Sequence, residues 1–96
     1  MTYSLQRERD GAGDSGNMST LLTPTFDMDT GKIVDVEYTA DARPQLGGVM
    51  RVGSHYARSY QAQDWWQTTI ITEILEDTPE CVKFKTGNST YEWKVF

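Results

Sequence analysis

The sequence contains one cysteine, one histidine and no long apolar run, and each of these shortages excludes a class of protein. With only Cys81, neither an internal disulfide nor a cysteine-based zinc site is expected. A membrane-spanning helix needs about eighteen or more consecutive apolar residues, and no such run occurs. A charged leader followed by an apolar stretch is also absent, so we expect no secretory signal and a cytoplasmic location.

Basic residues are scarce as well, since 9 Lys and Arg stand against 14 Asp and Glu, for a net charge of −5. A partner bound mainly through phosphates would need a face rich in Lys and Arg, so partners with basic surfaces are favoured instead. The acidic excess lies mainly between residues 18 and 48. From this segment we expect Asp35, Glu37 and Asp41 to face a basic partner.

No combination of residues predicts catalysis or a metal site. Cys81 and His55 alone suit thiol and imidazole chemistry, and Cys81 is expected to be a buried or half-buried residue at the start of a strand. Asp27 and Asp29 resemble the opening of a calcium loop, but position twelve of that loop would be Tyr38 rather than Glu. We therefore predict no enzyme activity, no cofactor and no metal.

Residues 1–19 are rich in Gly, Ser and Asp and hold few apolar side chains. Such a composition buries too little surface to offset the entropy of ordering the chain. A flexible N-terminal tail is therefore predicted, with Met18 as a second candidate start of translation.

Residues 20–48 predict a β-hairpin followed by a loop. A first strand over 21–26 and a second over 32–38 are separated by a turn at 27–31. In the second strand Val34, Val36 and Tyr38 alternate with Asp35 and Glu37, so the two groups are expected on opposite faces. Pro44 and the pair of glycines at 47 and 48 mark the loop.

Residues 49–96 predict closely spaced strands and no helix. Strands are expected over 51–60, 65–75, 81–85 and 89–96, with turns at 76–80 and 86–88. Alternation predicts five inward-facing side chains, which are Val82, Phe84, Tyr91, Trp93 and Val95. Short antiparallel strands of this kind close most readily into a small barrel, because closure removes exposed edges.

This second half resembles the SH3-like small barrels, including Tudor-type and KOW-type modules. The resemblance rests on Val52-Gly53 before Tyr56 and Ala57, the bent strand opening at Trp65-Trp66, and the turn Thr86-Gly87-Asn88. It implies an all-β fold, namely a small antiparallel barrel of about five strands preceded by the hairpin. The acidic loop and the terminal proline-tyrosine signature of signalling SH3 domains are absent, which argues against proline-rich ligands.

The small size, acidity and lack of a catalytic signature are also similar to accessory proteins of phages and mobile elements, such as anti-CRISPR proteins. That similarity implies an inhibitor that occupies a basic site on a nucleic-acid-binding or defence complex, in the producing cell or in a host.

The main functional hypothesis is a non-enzymatic module that docks on a partner protein. Trp65 and Trp66 must point to opposite faces of a strand, so one of them should be largely exposed, unless the hairpin covers it. An exposed Trp is a typical contact anchor. The expected contact set is Tyr56, Arg58, Tyr60, Trp65 and Trp66, together with the three acids named above.

The alternative is a nucleic-acid-binding module that uses Arg51, Lys83, Lys85 and Lys94 with the aromatic residues. The three lysines are expected on the outer faces of neighbouring strands, where Glu92 would weaken the basic stripe. The protein is expected to be a monomer or a homodimer, the latter through an exposed final strand.

Overall fold

The computed structural model describes residues 1–54 and 65–96. All regular secondary structure in this part of the chain is β-strand. The strands are β1 (Tyr3–Arg7), β2 (Gly13–Gly16), β3 (Met18–Phe26), β4 (Ile33–Thr39), β5 (Val49–Gly53), β6 (Trp65–Gln67), β7 (Ile71–Asp77), β8 (Cys81–Thr86) and β9 (Thr90–Val95). These residues accordingly include no helix of the length and apolarity that crossing a membrane requires.

The strands form two antiparallel sheets. Sheet A has five strands in the order β2-β1-β9-β8-β7, and sheet B has four in the order β4-β3-β5-β6. The sheets also meet at a corner, where the Ile71 N–H donates to the Gly48 carbonyl at 2.8 Å and the Gly47 N–H donates to the Ile71 carbonyl at 3.0 Å. The all-β prediction is confirmed, but no closed barrel is found among the described strands. The SH3-like closure remains a prediction.

The core lies between the inner faces of the two sheets. Leu5, Val82, Phe84 and Trp93 contribute from sheet A, and Leu21, Met50 and Val52 contribute from sheet B. Full burial of each large aliphatic side chain is worth about 1.5–3 kcal/mol. The inward orientation predicted for Val82, Phe84, Tyr91 and Trp93 is confirmed, and Val95 is half-buried against the same cluster.

The N-terminal segment is not the flexible tail that its composition predicts. β1 pairs along its whole length with β9, so Tyr3 lies opposite Val95 and Leu5 opposite Trp93. Tyr3 is only 3% exposed and Leu5 is fully buried. The few apolar side chains of this segment therefore complete the core, and a start at Met18 would remove part of the folded structure.

Close backbone contacts explain two of the glycines of this segment, Gly13 and Gly16. A Cβ atom on Gly13 would lie 1.8 Å from the Leu5 carbonyl oxygen, and one on Gly16 would lie 2.2 Å from the Gly53 carbonyl oxygen. Neither position has room for a side chain, because β2 lies directly against β1 on one side and against the end of β5 on the other. These glycines permit close packing of strands.

The hairpin of β3 and β4 is confirmed, with a turn between Phe26 and Ile33. Within the turn, the Asp27 side chain accepts a hydrogen bond from the Asp29 N–H at 2.7 Å, and Gly31 has a φ of 71°. An Asp at the start and a Gly at the left-handed position are what such a turn requires. The turn predicted at 86–88 is also found between β8 and β9, one residue later at 87–89.

The strand predicted over 65–75 is instead two strands in different sheets. β6 ends at Gln67 beside β5, whereas β7 begins at Ile71 beside β8. Thr68 is buried between them, where its N–H donates to the Met50 carbonyl and its hydroxyl oxygen accepts from the Met50 N–H. These bonds hold the chain at the point where it leaves sheet B.

The final strand is not exposed at an edge. β9 lies between β1 and β8 and pairs with both of them. The predicted route to a homodimer through this strand is therefore wrong, because its backbone hydrogen-bonding groups are already used within sheet A.

Candidate functional site

Trp65 and Trp66 point to opposite faces of sheet B, as predicted. Trp66 lies opposite Val52 on the inner face, and Trp65 lies opposite Gly53 on the outer face. The Trp66 indole N–H donates to the Tyr91 hydroxyl at 3.4 Å, and the Arg7 guanidinium lies 5.1 Å from the centre of its ring. Trp66 is therefore half-buried and packed against the core, and its place in the predicted contact set stays a prediction.

Trp65 belongs to a group of side chains on the outer face of sheet B, which we call the Arg51 cluster: Tyr38, Arg51, Trp65 and Gln67. The Arg51 guanidinium carbon lies 4.7 Å from the centre of the Trp65 ring and 5.8 Å from that of Tyr38. Its Nε and Nη2 atoms both donate to the Gln67 side-chain oxygen, at 3.0 and 2.8 Å. One cation is thus held by two aromatic rings and an amide.

Strand register brings these residues together. Arg51 lies directly opposite Gln67 in the β5–β6 pair, and Trp65 is two residues before Gln67 on the same face. Tyr38 comes from β4, where it lies opposite Leu22 of β3. Because Leu22 is also paired with Val49 of β5, the Tyr38 ring and the Arg51 side chain share the outer face across three strands.

Exposed apolar side chains extend this face along the hairpin. Tyr38 is 61% exposed and Val34 is 62% exposed. Phe26 and Ile33, which are opposite each other at the end of the hairpin, are also exposed. We call these four residues the hairpin patch. Large exposed apolar groups collected in one place, rather than scattered singly, are typical of interaction surfaces.

The predicted acidic residues do not share this face. Asp35 and Glu37 are opposite Thr25 and Thr23 in the register, which places them on the other face of the hairpin from Tyr38. The alternation predicted for this strand is thus correct, but it separates the acids from Trp65. Both carboxylates are exposed, and no ion pair joins either one to a basic side chain of the described residues.

Asp41 lies apart from both of these acids. Its carboxylate accepts a hydrogen bond from the Tyr3 hydroxyl at 3.1 Å, and its backbone has a φ of 51°. Burial of the ring, followed by this hydrogen bond, raises the pKa of Tyr3. Asp41 therefore anchors β1 against the loop after β4, and the three acids do not form a single surface.

Tyr56, Arg58 and Tyr60 lie outside the described residues, as does His55. Their predicted place in the contact set remains a prediction.

Lysines of the alternative hypothesis lie on the outer face of sheet A, as predicted, but acidic neighbours neutralise two of them. Lys83 lies 3.9 Å from a Glu8 oxygen and 3.7 Å from a Glu92 oxygen, and Lys94 lies 2.8 Å from the other Glu92 oxygen. The hydrogen bond from Lys94 is the main cause that lowers the pKa of Glu92. Arg51 is in the other sheet, so the four basic residues of this hypothesis form no single stripe.

Cys81 is half-buried, as predicted. Burial, followed by the nearby charges of Glu92 and Glu76, raises the pKa of its thiol. A raised pKa disfavours the thiolate, which is the nucleophilic form. Within residues 1–54 and 65–96, no group of three or more His, Cys, Asp or Glu side chains is placed to hold a metal ion.

The sequence did not identify Tyr38 and Gln67 as members of the site. Alternation along β4 does predict the face of Tyr38, but its position beside Arg51 depends on the pairing of β3 with both β4 and β5. Pairing over that distance in sequence leaves no local signal.

Comparison of the chain with models of protein families, with curated proteins and with solved structures finds no match.

Proposed function

We propose that this protein is a non-enzymatic binding module that docks on a partner protein through the outer face of sheet B. The observation that carries this proposal is the Arg51 cluster, where an arginine is held between Trp65 and the exposed Tyr38. Trp, Tyr and Arg are the residue types that contribute most to protein interfaces.

The geometry of the cluster favours binding because it limits the motion of its members before contact. Two ring contacts and two hydrogen bonds restrict the Arg51 side chain, so less side-chain entropy is lost when a partner binds. The neighbouring hairpin patch supplies apolar surface to be buried in the complex. Together they provide a rigid centre and an apolar margin on one face.

Charge supports a protein partner over a nucleic acid. The chain carries a net charge of −5, and two of the three lysines of sheet A, Lys83 and Lys94, are engaged by Glu8 and Glu92. Direct binding of a phosphate backbone would require unpaired basic groups. A closed SH3-like barrel and a role as an inhibitor of a nucleic-acid-binding or defence complex remain part of the proposal.

Affinity capture from cell lysate with single-residue variants tests this function. Tyr38→Ala and Trp65→Ala should each weaken capture of the partner by at least about 30-fold in Kd, which corresponds to a hot-spot loss of about 2 kcal/mol. Leu75→Ala is the matched control, because Leu75 is a 49% exposed apolar residue of sheet A. Circular dichroism would verify that each variant is folded.

Equal capture by all three variants would refute docking through the Arg51 cluster. Recovery of nucleic acid that disappears on nuclease treatment would refute the protein-partner proposal in favour of the alternative.

A further inference from the structure

Among the described residues, β4 is one of the two edge strands of sheet B, and its pairing leaves one row of its backbone groups unused by the sheet. The Ala42 N–H, just after β4 in the chain, donates a hydrogen bond to the Ser19 carbonyl of β3. The backbone of Ser19 therefore bonds on the side of β3 where β4 lies. Backbone groups of successive residues point to opposite sides of a strand, so alternate residues of β3 from Ser19 to Thr25 bond towards β4. Their β4 partners include Glu37 and Thr39.

The residues between these bonded partners direct their N–H and C=O groups out of the sheet. On β4 these are Val36 and Tyr38. The position of Pro24, opposite Val36, agrees with this assignment, because proline has no N–H to donate. The Val36 N–H is instead bonded to the side chain of its neighbour Asp35, at 2.8 Å. A carboxylate therefore covers an N–H that the strand ladder does not use.

We infer that β4 receives an extended segment of the partner protein as an additional strand, and that this segment alternates basic with apolar residues. This inference rests on the proposed function, and it names the chemistry of the partner. The incoming carbonyl replaces Asp35 at the Val36 N–H, which frees the carboxylate to pair with a basic side chain. Addition of a strand to an open sheet edge is a common mode of peptide recognition.

The two faces of β4 dictate the alternating pattern. Residues of the incoming strand that lie opposite Asp35 and Glu37 meet two exposed carboxylates, so Lys or Arg is favoured there. The residue between them lies opposite Val36, on the face that carries Val34 and Tyr38, so an apolar side chain is favoured. Apolar side chains at alternate positions would also adjoin the Arg51 cluster.

A second copy of this chain does not satisfy the same requirement. Antiparallel pairing of two β4 strands about Val36 would place Asp35 of each copy opposite Glu37 of the other. Pairing about Glu37 would place Glu37 of one copy opposite Glu37 of the other. Like charges directly opposite each other destabilise a strand pair, so the edge favours a basic partner over itself.

The direct test is fluorescence anisotropy with a labelled synthetic peptide of alternating Val and Lys. Two N-methylated forms provide the controls, one methylated at the backbone nitrogens of the Val residues and the other at those of the Lys residues. Because one set of N–H groups faces β4 and the other faces solvent, one form should lose binding and the other should retain it. Equal binding by both forms would overturn strand addition, as would an absence of binding by the unblocked peptide.

Protein variants test the same edge from the other side. Asp35→Asn with Glu37→Gln should weaken peptide binding by about 2- to 30-fold, the sum of two cross-strand charge pairs. Val36→Pro removes the open N–H without removing a bond to β3, so it should abolish binding. Unchanged affinity in the double variant, or tight binding of a peptide with Glu in place of Lys, would overturn the basic pattern.

Trp65→Ala separates this inference from the proposed function. It should reduce capture of the partner, whereas Leu75→Ala, on sheet A, should leave both the capture and the affinity for the short peptide within about 2-fold. If the peptide does not bind but capture of the partner still depends on Trp65, strand addition is refuted and the proposed function is not.

Discussion

Removal of β1 and β2 by starting the chain at Met18 should unfold the protein. This change deletes Leu5, which is fully buried, and Tyr3, which is 3% exposed and stacks on Trp93 with a distance of 5.9 Å between ring centres. Truncation of a buried Leu costs about 2–5 kcal/mol and that of a buried large aromatic about 3–5 kcal/mol, or about 5–10 kcal/mol together. A domain of this length has a total stability of about 5–14 kcal/mol.

Urea unfolding followed by tryptophan fluorescence measures the effect. With a urea dependence of about 1–3 kcal/mol per molar, the loss should lower the midpoint by about 2–10 M or leave the chain unfolded in water. Leu5→Ala should give about half of this loss. Gln6→Ala, at an exposed position of the same strand, should stay within about 0.5 kcal/mol of the wild type. A chain that starts at Met18 and keeps the wild-type midpoint would refute the role of β1 in the core.

Three further predictions concern single side chains. Ser19→Ala should cost about 1–3 kcal/mol in urea unfolding, because the Ser19 hydroxyl accepts from the buried Trp93 indole N–H at 3.0 Å; an unchanged midpoint would contradict this. Glu92→Gln should reduce the loss of stability on acidification, because hydrogen bonding from Lys94 lowers the folded pKa of Glu92 below its unfolded value. The contribution of Glu92 to the free energy of unfolding is therefore present above the unfolded pKa and disappears as the pH falls through the folded pKa. A parallel pH profile in wild type and variant would refute it. Cys81 should react with iodoacetamide more slowly in the folded protein than in urea at neutral pH, and equal rates would contradict its raised pKa.

Local patterns were sufficient to predict the two hairpins and the side chains that face the core. Alternation of Val82 and Phe84 with charged residues, and a turn containing Gly87, indicate β8 and β9 because both depend on neighbours in sequence. Asp27 and Gly31 similarly predict the turn between β3 and β4. In each case the residues that determine the structure lie within one hairpin.

The N-terminal strands could not be predicted in this way. Gly13 and Gly16 contribute to a composition that is typical of a flexible segment. In the folded protein, however, glycine is required at both positions because backbone atoms of separate strands approach each other there. That contact is evident only once the strands are paired. The same limit applies to the site, since Tyr38 joins Arg51 through the pairing of three strands.

Pairing of β1 with β9 has a consequence for the order of events during synthesis. These strands lie near opposite ends of the chain, so Tyr3 and Leu5 leave the ribosome long before Trp93 is available to cover them. Contacts between residues far apart in sequence form slowly, and apolar residues exposed in the meantime promote aggregation. A nascent chain that stalls before Thr90 would therefore carry an unpaired β1 with its apolar side chains exposed, a state that chaperones and proteases recognise.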